Sequence, residues 1–187
     1  MLDVALTSFG GRGYEATSLD ALAAELGLTK QTILYYFPSK EALLDAVIAS
    51  AAADLASNLE QAVRAAGPGW DRIEAIVRAV FRLALRRPEL LGLLRELTRL
   101  GPPYAGRLAA ELEPLVEPAV AWLESEMDAG QLRRLDARLL LVCVYSTIVG
   151  AATEAEVLRA VGIEPSMRSW AQRRRELLRF LHSALVP

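Results

Sequence analysis

The chain is poor in the residues that most enzymes use. Its 187 residues include one cysteine, Cys143, one histidine, His182, and two lysines, Lys30 and Lys40. A single cysteine closes no internal disulfide, which fits a reducing cytoplasm. His182 has no companions at ligand spacing, so no metal site is expected and the histidine reads as a surface or interface residue. No base stands beside a nucleophile, so no catalytic residue and no cofactor is expected. Glu124 and Asp128, four apart, read as solvated, and Cys143, in an apolar run, reads as a buried, inert thiol. Gly10, Gly11 and Gly13 follow no strand, which excludes a nucleotide-binding loop. β-branched runs are almost absent, so no sheet is expected. The longest charge-free stretch, Leu139 to Thr153, has 15 residues. A spanning helix needs roughly 20, so no membrane segment is expected. No basic-then-apolar leader opens the chain.

What is present is helix-forming. Hydrophobic residues make up 53% and charged residues 24%, and apolar positions recur at helical spacing nearly throughout. A short amphipathic segment over Met1–Phe9 is stopped by Gly10-Gly11-Arg12-Gly13. Thr17-Ser18-Leu19-Asp20 carries a hydroxyl cap with an acid three residues after Thr17, and Gly27 stops the helix that follows. Thr29 caps a second short helix through Tyr36. Pro38-Ser39 breaks and recaps the chain, and a long helix follows from Lys40 to about Ala65. Beyond the linker Gly67-Pro68-Gly69, helices are expected over Trp70–Arg86, Pro88–Leu100, Pro103–Ala129, Asp136–Val161 and Ser166–Leu185. Pro88 and Pro103 suit helix starts; Pro114 and Pro118 predict a kink or break. The fold class is all-α, with about nine helices.

The net charge of −2 hides an uneven distribution. Within residues 1–50 the basic residues Arg12, Lys30 and Lys40 are outnumbered by Asp3, Glu15, Asp20, Glu25, Glu41 and Asp45. Yet Leu28 to Lys40 holds both lysines and no acid. Residues 19–36 hold two short helices joined by Gly27-Leu28-Thr29, the helix-turn-helix arrangement. In that arrangement the first helix braces across a DNA backbone and the second enters the major groove. Ile33 and Phe37 supply the buried side of the second helix. Lys30, Gln31, Leu34 and Tyr35 point elsewhere, and Gln31 is the best placed to read a base edge. Lys40, at the start of the next helix, sits where a phosphate would also meet free N–H groups.

The run Phe9-Gly10-Gly11-Arg12-Gly13-Tyr14-Glu15-Ala16-Thr17-Ser18-Leu19, then Ala23, Gly27-Leu28-Thr29-Lys30 and Tyr36-Phe37-Pro38-Ser39-Lys40-Glu41-Ala42-Leu43, resembles the N-terminal DNA-binding region of TetR-family transcriptional regulators. The resemblance implies phosphate contacts from Thr17, Thr29, Thr32, Tyr35, Tyr36 and Lys40. It also implies a DNA-binding domain at residues 1–45 and an effector-binding and dimerisation domain at residues 46–187. Two positions depart from the family pattern: Gln31 stands where a small residue is common, and Leu34 where tyrosine is usual. Leu34 donates no hydrogen bond but suits a thymine methyl, so operator preference should differ from that of relatives with tyrosine. Members usually begin several residues earlier, often with a basic arm; here the first helix starts at once.

The segment Asp136–Val161 is apolar around much of its circumference and needs cover on more than one side. With the final helix it suggests a homodimer, the resemblance implying a four-helix interface; Leu141, Val144, Ile148, Trp170, Leu177 and Leu181 are the expected contacts. Arg173-Arg174-Arg175 reads as a solvated helix face. The resemblance further implies a small-molecule effector enclosed by the middle helices; aromatic or polar character on apolar helices makes Phe81, Leu85, Leu94, Trp122, Glu126 and Tyr145 the candidate lining, and the composition suggests an apolar effector. The expected function is a ligand-responsive repressor of a palindromic double-stranded DNA operator. The alternative is an effector-free architectural DNA binder that recruits a protein partner through its C-terminal helices.

Overall fold

A computed structural model of the chain describes residues 1–153, 155–164 and 166–187, and for 151–153 and 155–157 the backbone alone. Among the described residues there are ten helices and no strand: α1 (Leu2–Arg12), α2 (Leu19–Leu26), α3 (Lys30–Tyr36), α4 (Lys40–Arg64), α5 (Trp70–Arg86), α6 (Pro88–Leu100), α7 (Tyr104–Asp128), α8 (Ala137–Thr153), α9 (Ala155–Ala160) and α10 (Met167–Leu185). The helix expected over Asp136–Val161 corresponds to α8 and α9; residue 154, inside that expected span, lies outside the described residues.

The helices form two compact units, Met1–Ser57 with Arg87–Glu113, and Asn58–Arg86 with Pro114–Pro187. The first is built on Leu6, Phe9, Leu22, Ile33, Leu43, Leu44, Val47, Ile48, Leu93 and Leu97. The second is built on Ile73, Val77, Phe81, Val120, Leu123, Met127, Leu140, Ile148, Leu177, Leu181 and Leu185. By length and composition α4 could cross a membrane, yet its Leu43, Leu44, Val47 and Ile48 are buried in the first unit.

Several local expectations shift. Helix α1 runs through Gly10 and Gly11 to Arg12 and ends at Gly13, whose φ of 94° leaves the helical region. Gly10 is a packing residue rather than a breaker: a Cβ there would lie 2.4 Å from the Glu89 carbonyl oxygen on α6. Ser18, not Thr17, caps α2, its hydroxyl accepting from the Ala21 N–H at 3.1 Å. Helix α7 continues through Pro114 and Pro118 rather than breaking. Cys143 is exposed, not buried. Arg173 is not simply solvated: its guanidinium lies 4.6 Å from the Trp170 ring centre, and partial burial holds its pKa below the usual arginine value.

Candidate nucleic-acid interface

Two hydroxyl caps and one glycine set the geometry of the α2–α3 pair. Gly27 takes φ 65° and its N–H reaches the carbonyls of Ala23 and Ala24, a left-handed stop that glycine adopts without a Cβ penalty. Two residues on, the Thr29 hydroxyl accepts from the Thr32 N–H at 3.1 Å and starts α3. Ser39 repeats the device for α4, accepting from the Ala42 N–H at 3.0 Å.

One side of α3 is fixed and the other is free. Ile33 is 0% exposed and Phe37 packs against the same core. On the outer side Gln31 is exposed, Tyr35 is 83% and Tyr36 63% exposed, and Leu34 is half-buried. The two tyrosine rings meet edge to face at 5.1 Å. This flank therefore offers an amide, two phenols and an apolar branch, groups that suit both base edges and phosphate oxygens.

The other residues expected to touch DNA are placed less uniformly. Thr29 and Thr32 share a hydroxyl hydrogen bond of 2.9 Å beside the helix start. Lys30 is exposed but ion-paired to Asp20 at 2.9 Å. Lys40 is half-buried, its ammonium 4.2 Å from the Tyr14 ring centre and donating to the Glu15 carbonyl at 3.4 Å. Burial lowers its pKa from the usual lysine value. Thr17 is only 2% exposed and its hydroxyl donates to the Gly13 carbonyl at 2.8 Å. Its side chain thus closes the loop before α2 instead of facing outward.

This region is tied to α6 by contacts that carry no signal in local spacing. The Tyr14 N–H donates to Glu96 at 2.8 Å. Arg99 in turn holds Glu96 at 2.8 Å, and this pairing is the first cause keeping the Glu96 carboxyl below its ordinary pKa. Arg87 reaches Asp3 on α1 and Asp54 on α4, each at 2.7 Å, and Glu89 on α6 at 3.0 Å. Glu96 and Arg87 were not among the expected functional residues. A glycine inside an otherwise helical pattern, Gly92, was the available hint of close packing here.

The expected effector-lining residues fall in both units, Leu94 in the first and the others in the second. Trp122 and Glu126 meet, the indole N–H donating to the carboxylate at 3.0 Å, so that acid already has a partner. Phe81 is fully buried, with its ring 5.1 Å from that of Trp170. Leu85 and Tyr145 are exposed, and Leu94 lies half-buried on α6 in the first unit. Among the expected dimer contacts, Ile148, Leu177 and Leu181 are buried in their own unit's core, because the inward stripe of α10 runs through Leu177, Leu181 and Leu185. Leu141, Val144 and Trp170 are partly buried against that core. The exposed large apolar side chains described on these two helices are Leu139, Val142 and Tyr145 on α8 and Met167 and Phe180 on α10.

Residues 1–47 match the family model described as bacterial regulatory proteins, tetR family. The chain is 26% identical over 162 residues to the HTH-type transcriptional regulator RutR of Escherichia coli K12, covering 86% of this chain and 76% of RutR. Its fold is that of FadR from Bacillus subtilis, solved with stearoyl-CoA, at a TM-score of 0.80 and 18% identity over 96% of this chain and 95% of that one. It is also that of AibR, solved with isovaleryl coenzyme A and operator DNA, at a TM-score of 0.70 and 21% identity over 81% and 83%. Residues 1–47, which hold the helix-turn-helix at residues 19–36, are thus similar to bacterial regulatory proteins of the tetR family, and the chain shares its all-helical fold with solved regulators.

Proposed function

We propose that the chain is a homodimeric, cytoplasmic repressor that holds a near-palindromic operator through residues 1–45 and releases it when a small apolar effector binds residues 46–187. The observation that carries the reading is the polarity of α3: Ile33 inward at 0% exposure, Tyr35 and Tyr36 outward at 83% and 63%. In this reading Gln31 and Leu34 meet base edges, while Thr29, Lys30, Thr32, Tyr35, Tyr36 and Lys40 meet phosphates. Thr17 acts through the loop it closes.

Two copies joined along α8 and α10 would cover Leu139, Val142 and Phe180, which a single chain leaves 59–66% exposed. Two-fold symmetry then sets paired half-sites about one helical turn, roughly 34–36 Å, or a multiple apart. FadR and AibR were solved with acyl-CoA ligands, whose acyl portions are apolar, which supports an effector with an apolar part for this chain. Such a ligand acts by favouring one arrangement of the two reading helices, a coupling of about 1–3 kcal/mol.

Selection of bound fragments from random duplex DNA tests the whole reading. Enrichment of an inverted repeat supports it, and recovery of no preferred sequence overturns it. Gln31→Ala is expected to cost about 1–3 kcal/mol of discrimination at one base position per half-site while sparing the rest of the profile. Phe180→Ala is expected to weaken self-association by at least about fivefold, because truncating a well-buried interface aromatic costs about 1 kcal/mol or more. Sedimentation of the wild-type chain as a monomer at micromolar concentration would remove the dimer from the reading.

A further inference from the structure

The DNA-facing region neutralises itself. Its three basic residues stand among six acids, and each is engaged internally. Arg12 pairs with Glu25 at 2.7 Å, Lys30 with Asp20 at 2.9 Å, and Lys40 lies on Tyr14 and the Glu15 carbonyl. Of the three, Lys30 alone stands on α3. Its partner Asp20 sits in the first turn of α2, the helix that braces against the sugar–phosphate backbone in this motif. Both side chains are exposed, at 43% and 68%, so the pair lies where a phosphate would approach. A carboxylate there has the charge and the acceptor oxygens of the phosphate that would replace it.

We propose that Asp20 is an internal competitor for the DNA backbone: in the free protein its carboxylate holds Lys30, and the duplex must displace it before Lys30 reaches a phosphate. The inference rests on the DNA-binding reading above. Its consequence is an affinity set lower than the lysine alone would give. The discount is the same for every sequence, because phosphates carry no base identity. Counterion release is reduced as well, since a lysine already neutralised by its own chain contributes little net charge to the complex.

Asp20→Asn keeps the shape and removes the charge. It is expected to tighten binding to the selected operator and to random duplex by the same factor, about threefold to tenfold at low salt. The plot of log affinity against log salt should steepen by about one unit. Asp20→Ser, a different shape lacking the same charge, must give the same gain, which guards against a folding artefact in one variant. In a Lys30→Ala background the gain must largely vanish. A gain that persists there means plain repulsion and overturns the competition, as does an Asp20→Asn variant with unchanged affinity and salt slope. A wild-type chain that binds no duplex overturns both this inference and the DNA-binding reading, whereas normal wild-type binding with an inert Asp20 overturns this inference alone.

Discussion

Ile33→Ala is expected to abolish useful DNA binding while leaving most of the helix content intact. Helix α3 has seven residues, well under the roughly 12–15 needed for even marginal stability alone in water. Its order therefore comes from what it packs against, and Ile33 is its one fully buried side chain, at 0% exposure. Removing a buried isoleucine down to alanine costs about 2–5 kcal/mol, transfer and cavity together. A whole domain is stable by only about 5–15 kcal/mol, so this loss falls hardest on a segment with few other anchors. At about 3 kcal/mol the docked state of the reading helix loses a factor of about a hundred or more, and operator affinity should follow. Ile33→Val, at about 0.5–1.5 kcal/mol, should leave most of the affinity. Hydrogen exchange resolved to residues 29–37 would show faster opening there, with the second unit's core around Phe81 unchanged. Wild-type operator affinity in Ile33→Ala would mean that α3 is not held by this contact, and that its outward flank owes nothing to it.

The parts of this molecule that were legible in its sequence are those fixed by neighbours in the chain. Gly27 stops α2, Thr29 starts α3, and Ile33 faces inward with Phe37 four residues on; each follows from local chemistry and helical spacing. Where a distant segment decides, the reading slipped. Thr17 and Ser18 are both competent caps, and Ser18 takes the role because Thr17 is buried with its hydroxyl turned to Gly13. Gly10 and Gly11 resemble a stop until α6 supplies a reason for the missing Cβ at Gly10; at Gly11 a Cβ would meet nothing within 4 Å. The prolines of α7 each remove one backbone donor, yet the helix continues through both. On α8 the apolar residues nearly encircle the axis. Composition then says only that more than one side needs cover. Packing selects Leu140 and Ile148 for the inside and leaves Leu139, Val142 and Cys143 outside. Arg87 gathers Asp3, Asp54 and Glu89 across three helices, and no pattern within any one helix announces that meeting. Aromatic or acidic character on an apolar helix does not fix a direction, so nothing in the spacing announces that Glu126 accepts from the Trp122 indole.

Gly92→Ala should destabilise the first unit, against the sign that helix propensity alone would give. An alanine in a helix interior is ordinarily favoured over glycine by about 0.5–1 kcal/mol. At Gly92, however, a Cβ would lie 2.3 Å from the Gly10 carbonyl oxygen and 2.9 Å from its carbon. Both are backbone atoms inside α1, so no side chain can swing aside. The two helices must separate, and overpacking of this kind costs about 1–3 kcal/mol or more. Separation also pulls on the neighbouring bond from the Tyr14 N–H to Glu96, which anchors the loop leading to α2. The net expectation is a loss of about 1–2 kcal/mol, a fall in Tm of roughly 2–8 °C for a chain of this size, and weaker operator binding near the shifted transition. Gly106→Ala supplies the control. It sits in α7 with nothing within 4 Å of where a Cβ would stand, so the same substitution there should raise Tm slightly. If Gly92→Ala proved as stabilising as Gly106→Ala, the backbone-to-backbone contact between α1 and α6 could not be a constraint on the folded chain. The link from α6 to the reading helices would then have to run through the carboxylates gathered by Arg87 and through Glu96 alone.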